Sequence, residues 1–245
     1  MSVPLPVPLH HTGMVAVEGQ LYVVGGYTSD GSASGGVWSW TPPAVEWKAE
    51  TDLPTPRGAL AVVASKTGEG VRIHAIGGAS RFGGGAPELE PAHEVYDPTS
   101  RRWSTQAAFP FPRDHLAAAS VDGDVYVVGG RLLSLASNQA RLDIFDASTK
   151  QWRRGPDMPT ARGGLAAAAS GSRFFVFGGE EQGGTFEEVE VYDVESARWS
   201  AAEDLPTPRH GLGAAVIGNR VYVVGGGPTP GLSVSGANET LTVEE

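Results

Sequence analysis

The sequence predicts an all-β protein of five repeated four-stranded units, because three markers recur along it in one phase. The first is a glycine pair closing an apolar run, at Gly25-Gly26, Gly77-Gly78, Gly129-Gly130, Gly178-Gly179 and Gly225-Gly226. The second glycines lie 52, 52, 49 and 47 residues apart, the period expected of a propeller or solenoid unit. The second marker is an aromatic residue and Asp with Trp seven residues after the aromatic: Tyr96-Asp97 and Trp103, Phe145-Asp146 and Trp152, Tyr192-Asp193 and Trp199. Trp40 and Trp47 keep that spacing, with Thr41 in place of Asp. The third marker closes each unit: LPTPRG at 53–58, FPFPRD at 109–114, MPTARG at 158–163 and LPTPRH at 205–210.

Within a unit the elements follow in order. A run of small residues such as Leu165 to Ala169 reads as an inner strand, ended by a glycine turn like Asp122-Gly123. The apolar run before the glycine pair, rich in β-branched and aromatic residues, reads as a buried second strand. A variable loop leads to a third strand, for example Val189 to Tyr192, whose alternation buries one face. Asp97-Pro98-Thr99-Ser100 carries Asp and Pro at the first two positions of a type I turn. Trp103 then opens a polar outer strand running to the proline-rich link. Small residues inside and large ones outside suit a wedge. We therefore expect a β-propeller with blades at about 8–54, 55–110, 111–159, 160–206 and 207–245, one domain spanning 1–245. Six blades or a truncated ring is the alternative. The fifth unit lacks its Trp strand, and residues 1–7 are expected to supply it, since Leu5-Pro6 and His10 match Leu205-Pro206 and His210. The aromatic and the Trp are expected to fill the space between blades.

Composition narrows the function classes. Thirty-four glycines and eighteen prolines among 245 residues fit many turns. A net charge of −10 argues against a nucleic-acid groove. With no cysteine, disulfides, thiolate catalysis, Cys-ligated zinc and iron–sulfur clusters are excluded. No apolar window is long enough to span a membrane and no leader peptide is visible, so a cytoplasmic, monomeric protein is expected. Neither a Ser-hydrolase elbow, a P-loop nor a dinucleotide fingerprint occurs. No cofactor and no metal are expected.

Glycine pair, Tyr-Asp, Trp and Pro-Arg, in this order at about fifty residues, resemble the kelch repeat over nearly the whole chain. The first repeat departs most, with Leu9 at the Pro-Arg position. The resemblance implies a propeller that binds peptides on a face lined by arginines at this segment. Arg57, Arg113, Arg162 and Arg209, at one repeat position, are thus the candidate mouth, with His11 and His115 expected on the same side. His10, Asp114 and His210 lie in the alternate phase. Such a mouth would suit a protein or peptide segment or a small acidic ligand; these arginines could equally serve only to tie blades together. Loops 79–92 and 131–141 add Arg81, Phe82, Glu88, Glu90, Arg131 and Asn138 as possible contacts. The glutamates from Glu180 to Glu203 read as a solvated face, His74 as a core residue and His93 as a loop residue.

A non-enzymatic binding module is the favoured function. Among kelch-type enzymes, the copper oxidases need a Tyr–Cys crosslink that this chain cannot form. A sugar-active enzyme of the sialic-acid mutarotase kind needs only an acid–base pair, for which Glu18 or Asp114 beside an arginine is the candidate. A scaffold, structural or engineered, without a dedicated ligand is the third reading.

Overall fold

The computed structural model describes residues 3–83 and 85–243. They form two compact units, 1–114 and 115–245, and the architecture is all-β, of propeller class.

Unit one holds two blades. The first is β1 (Gly13–Val17), β2 (Gln20–Val24), β3 (Val37–Trp40) and β4 (Lys48–Ala49). The second is β5 (Ala61–Thr67), β6 (Gly70–Ile76), β7 (His93–Asp97) and β8 (Arg102–Thr105). Unit two holds three. They comprise β9 (Ala117–Val121), β10 (Asp124–Val128), β11 (Leu142–Asp146) and β12 (Gln151–Arg154), then β13 (Ala166–Ser170) and β14 (Arg173–Phe177). A short ribbon, β15 (Glu180–Glu181) and β16 (Gly184–Thr185), precedes β17 (Val189–Asp193) and β18 (Arg198–Ala201). The last blade is β19 (Gly213–Ile217), β20 (Arg220–Val224) and β21 (Asn238–Thr242). Each blade is an antiparallel meander in chain order.

The fifth blade corrects the expectation of four strands throughout. Among the described residues it has three, and residues 3–9 form no strand. Those residues instead carry the repeat's link geometry: the indole N–H of Trp47 donates to Val3 O at 3.0 Å, as Trp103 donates to Thr51 O at 2.9 Å. Met1 and Ser2 lie outside the described residues. His93 is also no loop residue. It opens β7, fully buried, because its ring stacks on His74 across the sheet.

Packing explains the markers. Tyr96 lies opposite Trp103 and Tyr192 opposite Trp199, each pair 5.1 Å between centroids. Trp103 packs on Val24, Val37, Leu53, Leu60 and Ala75, closing the junction between the first two blades. Asp97 Oδ1 accepts from Thr99 N at 2.9 Å, and Asp146 Oδ1 from Ser148 N at 2.9 Å, so Asp folds the turn by mimicking a backbone acceptor. The glycine pair joins one blade to the next. Gly26, Gly78, Gly130 and Gly179 donate N–H to the carbonyls of Arg57, Arg113, Arg162 and Arg209 at 2.9–3.0 Å. A Cβ on Gly25 would strike Arg57 O at 2.5 Å, so this approach requires glycine.

Candidate functional site

The four phased arginines are fully buried, each at 0% exposure, which replaces the expected open mouth with internal clasps. Arg57 donates from Nε to Gly77 O at 2.8 Å and from Nη2 to Ala75 O at 2.8 Å. Its Nη1 reaches Thr55 O at 2.7 Å and the Glu94 carboxylate at 2.6 Å. The guanidinium thereby staples the proline-rich link to the second and third strands of the blade it begins. Arg209 repeats the arrangement with Gly225 O, Val223 O, Thr207 O and Glu239, whereas Arg162 keeps the carboxylate pair with Glu190 and reaches Glu188 O, its buried Nε having no partner. Arg113 keeps the same setting, with Nη1 donating to Phe111 O at 3.0 Å and its guanidinium 4.7 Å from the Phe109 ring. Burial lowers the pKa of Arg57 and of Arg162 from the ordinary arginine value, against the opposing pull of Glu94 and Glu190. These side chains satisfy buried carbonyls and carboxylates, and none faces solvent. Glu190, read from sequence as solvated, is 5% exposed for the same reason.

The histidines also depart from the strand alternation expected of them. His11 and His115 have φ of 55° and 54°, and Ala59, Gly164 and Gly211 at the equivalent positions are left-handed too. Neighbouring residues there do not point to opposite sides. His10 Nδ1 and His11 Nδ1 meet at 2.6 Å, and both rings pack on Tyr27 and Phe82 with centroids 4.7–5.8 Å apart. In unit one, His10, His11, Tyr27 and Phe82 thus form one aromatic cluster beside the exposed Arg81. Asp114 is buried at 5%. Glu18 sits in the β1–β2 turn, at the end of β1 away from the link segments that carry the phased arginines, so the acid–base pair expected of it with one of them is not formed.

Unit two gathers the remaining candidates around Glu180, the residue after the fourth glycine pair. Its carboxylate binds Arg131 Nη1 at 2.8 Å and accepts from Gly231 N at 2.9 Å. Asn138 Nδ2 donates to Glu180 O at 2.7 Å, and His115 Nε2 accepts from Arg131 Nη2 at 2.9 Å. His210 closes the set: its ring nitrogens lie 3.0 Å from Gly227 O and 2.7 Å from Gly231 O, with Nε2 3.5 Å from Glu180. Glu180 is 3% exposed, so the reading of it as a solvated glutamate is also corrected. The signal available for it was its position directly after a glycine pair, where Tyr27 and Arg131 also stand.

This hub ties together two loops, 131–141 and 227–237. Ser134 caps a 3₁₀ turn (Leu135–Ser137) in the first, stiffening it. The loops present Leu132, Leu133, Leu232 and Val234 to solvent, the last two at 87% and 91% exposure. Among the described residues, no cluster of three or more His, Asp or Glu side chains is placed to hold a metal, and no helix is long and apolar enough to cross a membrane.

Comparison with known proteins accords with this geometry. Residues 10–226 match the family model described as the KLHDC2/KLHL20/DRC7 Kelch-repeats domain. Beta-scruin of Limulus polyphemus is 28% identical over 146 residues, 57% of this chain and 16% of that protein. Kelch-like protein 35 of Mus musculus is 31% identical over 132 residues, 54% of this chain and 21% of that protein. Kelch-like protein 41a of Danio rerio is 27% identical over 126 residues, 51% of this chain and 20% of that protein. The matched region spans about a fifth of the length of these relatives. With the glycine pairs, Trp strands and arginine clasps all in repeat phase, the chain belongs to the Kelch-repeat family.

Proposed function

We propose that the chain is a non-enzymatic protein-interaction module that reads a partner segment on the platform formed by loops 131–141 and 227–237. The observation that carries this reading is the Glu180 hub. One buried carboxylate holds both loops in place, and four exposed apolar side chains stand on them. Preorganised loops lose little entropy on binding, and exposed Leu and Val on a fixed polar base supply desolvation energy. Membership of a family of typical protein-interaction modules supports the same class. A carboxylate on the partner would compete with Glu180 for Arg131, so an acidic residue adds to recognition and the apolar contacts dominate it.

Selection of a phage-displayed random peptide library on the purified protein tests the proposal. Peptides enriched on the native chain should lose at least about tenfold in affinity to Leu133→Asp and to Leu232→Asp, the loss of one interface anchor. Melting temperature should not change. Leu133 has φ of 61°, a conformation Asp tolerates, so that variant folds without added strain. Selected peptides that bind both variants as well as the native chain would refute the site.

A further inference from the structure

We infer that His210 is an acid-set clamp on the loop platform: as an imidazolium it fastens the tip of loop 227–237 to the Glu180 hub, and as a neutral ring it releases that tip. The clamp stands on the geometry of the ring, and its consequence for binding rests on the platform reading given above.

His210 lies in the link between β18 and β19 and is 8% exposed. Both of its ring nitrogens meet oxygen. Nδ1 is 3.0 Å from Gly227 O and Nε2 is 2.7 Å from Gly231 O, with a Glu180 carboxylate oxygen 3.5 Å from Nε2. Carbonyl and carboxylate oxygens only accept, whereas a neutral imidazole carries one N–H and one lone pair. Either neutral tautomer therefore turns its lone pair on one of the two carbonyls. The doubly protonated ring donates to both, and the buried Glu180 carboxylate supplies its counter-charge.

The two contacts differ in what they hold. At the base of the loop, Gly227 O also accepts the His210 backbone N–H at 3.0 Å, and Gly227 N donates to His210 O at 2.8 Å, so this end is pinned in either state. Gly231 stands at the tip, directly before Leu232. It is held from outside by Glu180, which accepts its N–H at 2.9 Å, and by the His210 ring. The loop sequence, GPTPGLSVSGA, has no ionisable side chain, so charge reaches the tip from the hub alone. A neutral ring facing the pinned Gly227 O with its lone pair must shift, and the contact at Gly231 is the one that yields.

The charged groups around the ring come from three further segments. Residue 180 brings the carboxylate, loop 131–141 brings Arg131, engaged by that carboxylate at 2.8 Å, and the link before β9 brings His115, which meets Arg131. Arg162 and Arg209 in the adjoining links are engaged by Glu190 and Glu239. His115 responds to acid in the opposite sense. Arginine only donates, so His115 Nε2 accepts from Arg131 at 2.9 Å, and a proton there would break the contact. Tightening of loop 227–237 in acid is therefore the mark of His210 and not of His115.

Histidine changes charge between pH 5 and 8, which sets the range of the test. The amides of Gly231 and Ser233 donate to Glu180 and to Gly231 O, so their hydrogen exchange, corrected for base catalysis, reads the opening of the tip. Their protection should rise about tenfold between pH 7.5 and pH 5.5, the worth of one charge-assisted hydrogen bond, and should not rise in His210→Gln. In the unaltered chain at pH 5.5, proton–nitrogen NMR should show a proton on both ring nitrogens of His210. Flat or falling protection, an equal rise in the variant, or a neutral ring at pH 5.5 would overturn the clamp. A library-selected peptide without histidine should gain about threefold in affinity for the native chain relative to His210→Gln over the same range. A constant ratio alongside rising protection would overturn the clamp's control of binding. Failure to select any peptide would refute the platform instead, while the exchange result still decides the clamp.

Discussion

Replacing Arg57 with Met removes four hydrogen bonds at once and strands the Glu94 carboxylate, whose side chain is 5% exposed in the native protein, with its cation gone. Thr55 Oγ1 still donates to Glu94 at 2.8 Å, but one hydroxyl does not neutralise a buried charge. Breaking such a pair from one side costs about 3–5 kcal/mol, because the remaining ion keeps its desolvation penalty. Removing both ions in Arg57→Met with Glu94→Leu takes that penalty away, so the double variant should be more stable than Arg57→Met alone by about 2 kcal/mol or more. Arg209 provides an internal control. Its partner Glu239 has an 18% exposed side chain and can recruit water, so Arg209→Met should cost less, about 1–3 kcal/mol. Urea unfolding followed by tryptophan fluorescence gives the four stabilities, and hydrogen exchange of β6 and β7 amides reports whether the loss is local to blade two. An Arg57→Met protein within about 1 kcal/mol of the native chain would refute the clasp reasoning. Loss of selected-peptide affinity at unchanged stability would restore the arginines to a ligand-binding role.

Three further outcomes are expected. Burial, and then the neighbouring His74, push the His93 pKa down to about 2, whereas an unfolded histidine titrates near 6.5. The unfolded chain therefore takes up a proton that the folded chain refuses. Stability is complete above pH 6.5 and falls by about 1.4 kcal/mol per pH unit below it; unfolding free energies from urea titrations at pH 7.5 and 5.5 should differ by about 1.4 kcal/mol more in the native chain than in His93→Gln. Ala59 has φ of 51° where Gly164 and Gly211 stand in later blades, so Ala59→Gly should raise stability by about 0.5–1 kcal/mol, read from the urea midpoint. Trp199→Ala strips the cover from the third junction and the hydrogen bond to Pro156 O, and should cost about 3 kcal/mol in the same assay.

The repeat period, the turn residues and the apolar runs settled the strands and their order from sequence alone, because each of these signals is local. Asp97 folds the turn within its own few residues, and the glycine pairs mark the backbone wherever they occur. That the fifth unit lacks its tryptophan strand was equally visible, but the expectation that residues 1–7 would supply that strand was not met among the described residues. What sequence could not decide was the direction and company of charged side chains. Arg57 and Arg131 are both arginines beside a blade end, yet one is sealed against Glu94, 37 residues away, and the other helps to hold a loop platform through Glu180, 49 residues away. Alternation placed His10 and His11 on opposite sides, and one left-handed residue brought their rings together. Burial and pairing are set by which segments converge in three dimensions, so only the tertiary structure could separate the arginine that staples a blade from the arginine that pins a surface loop.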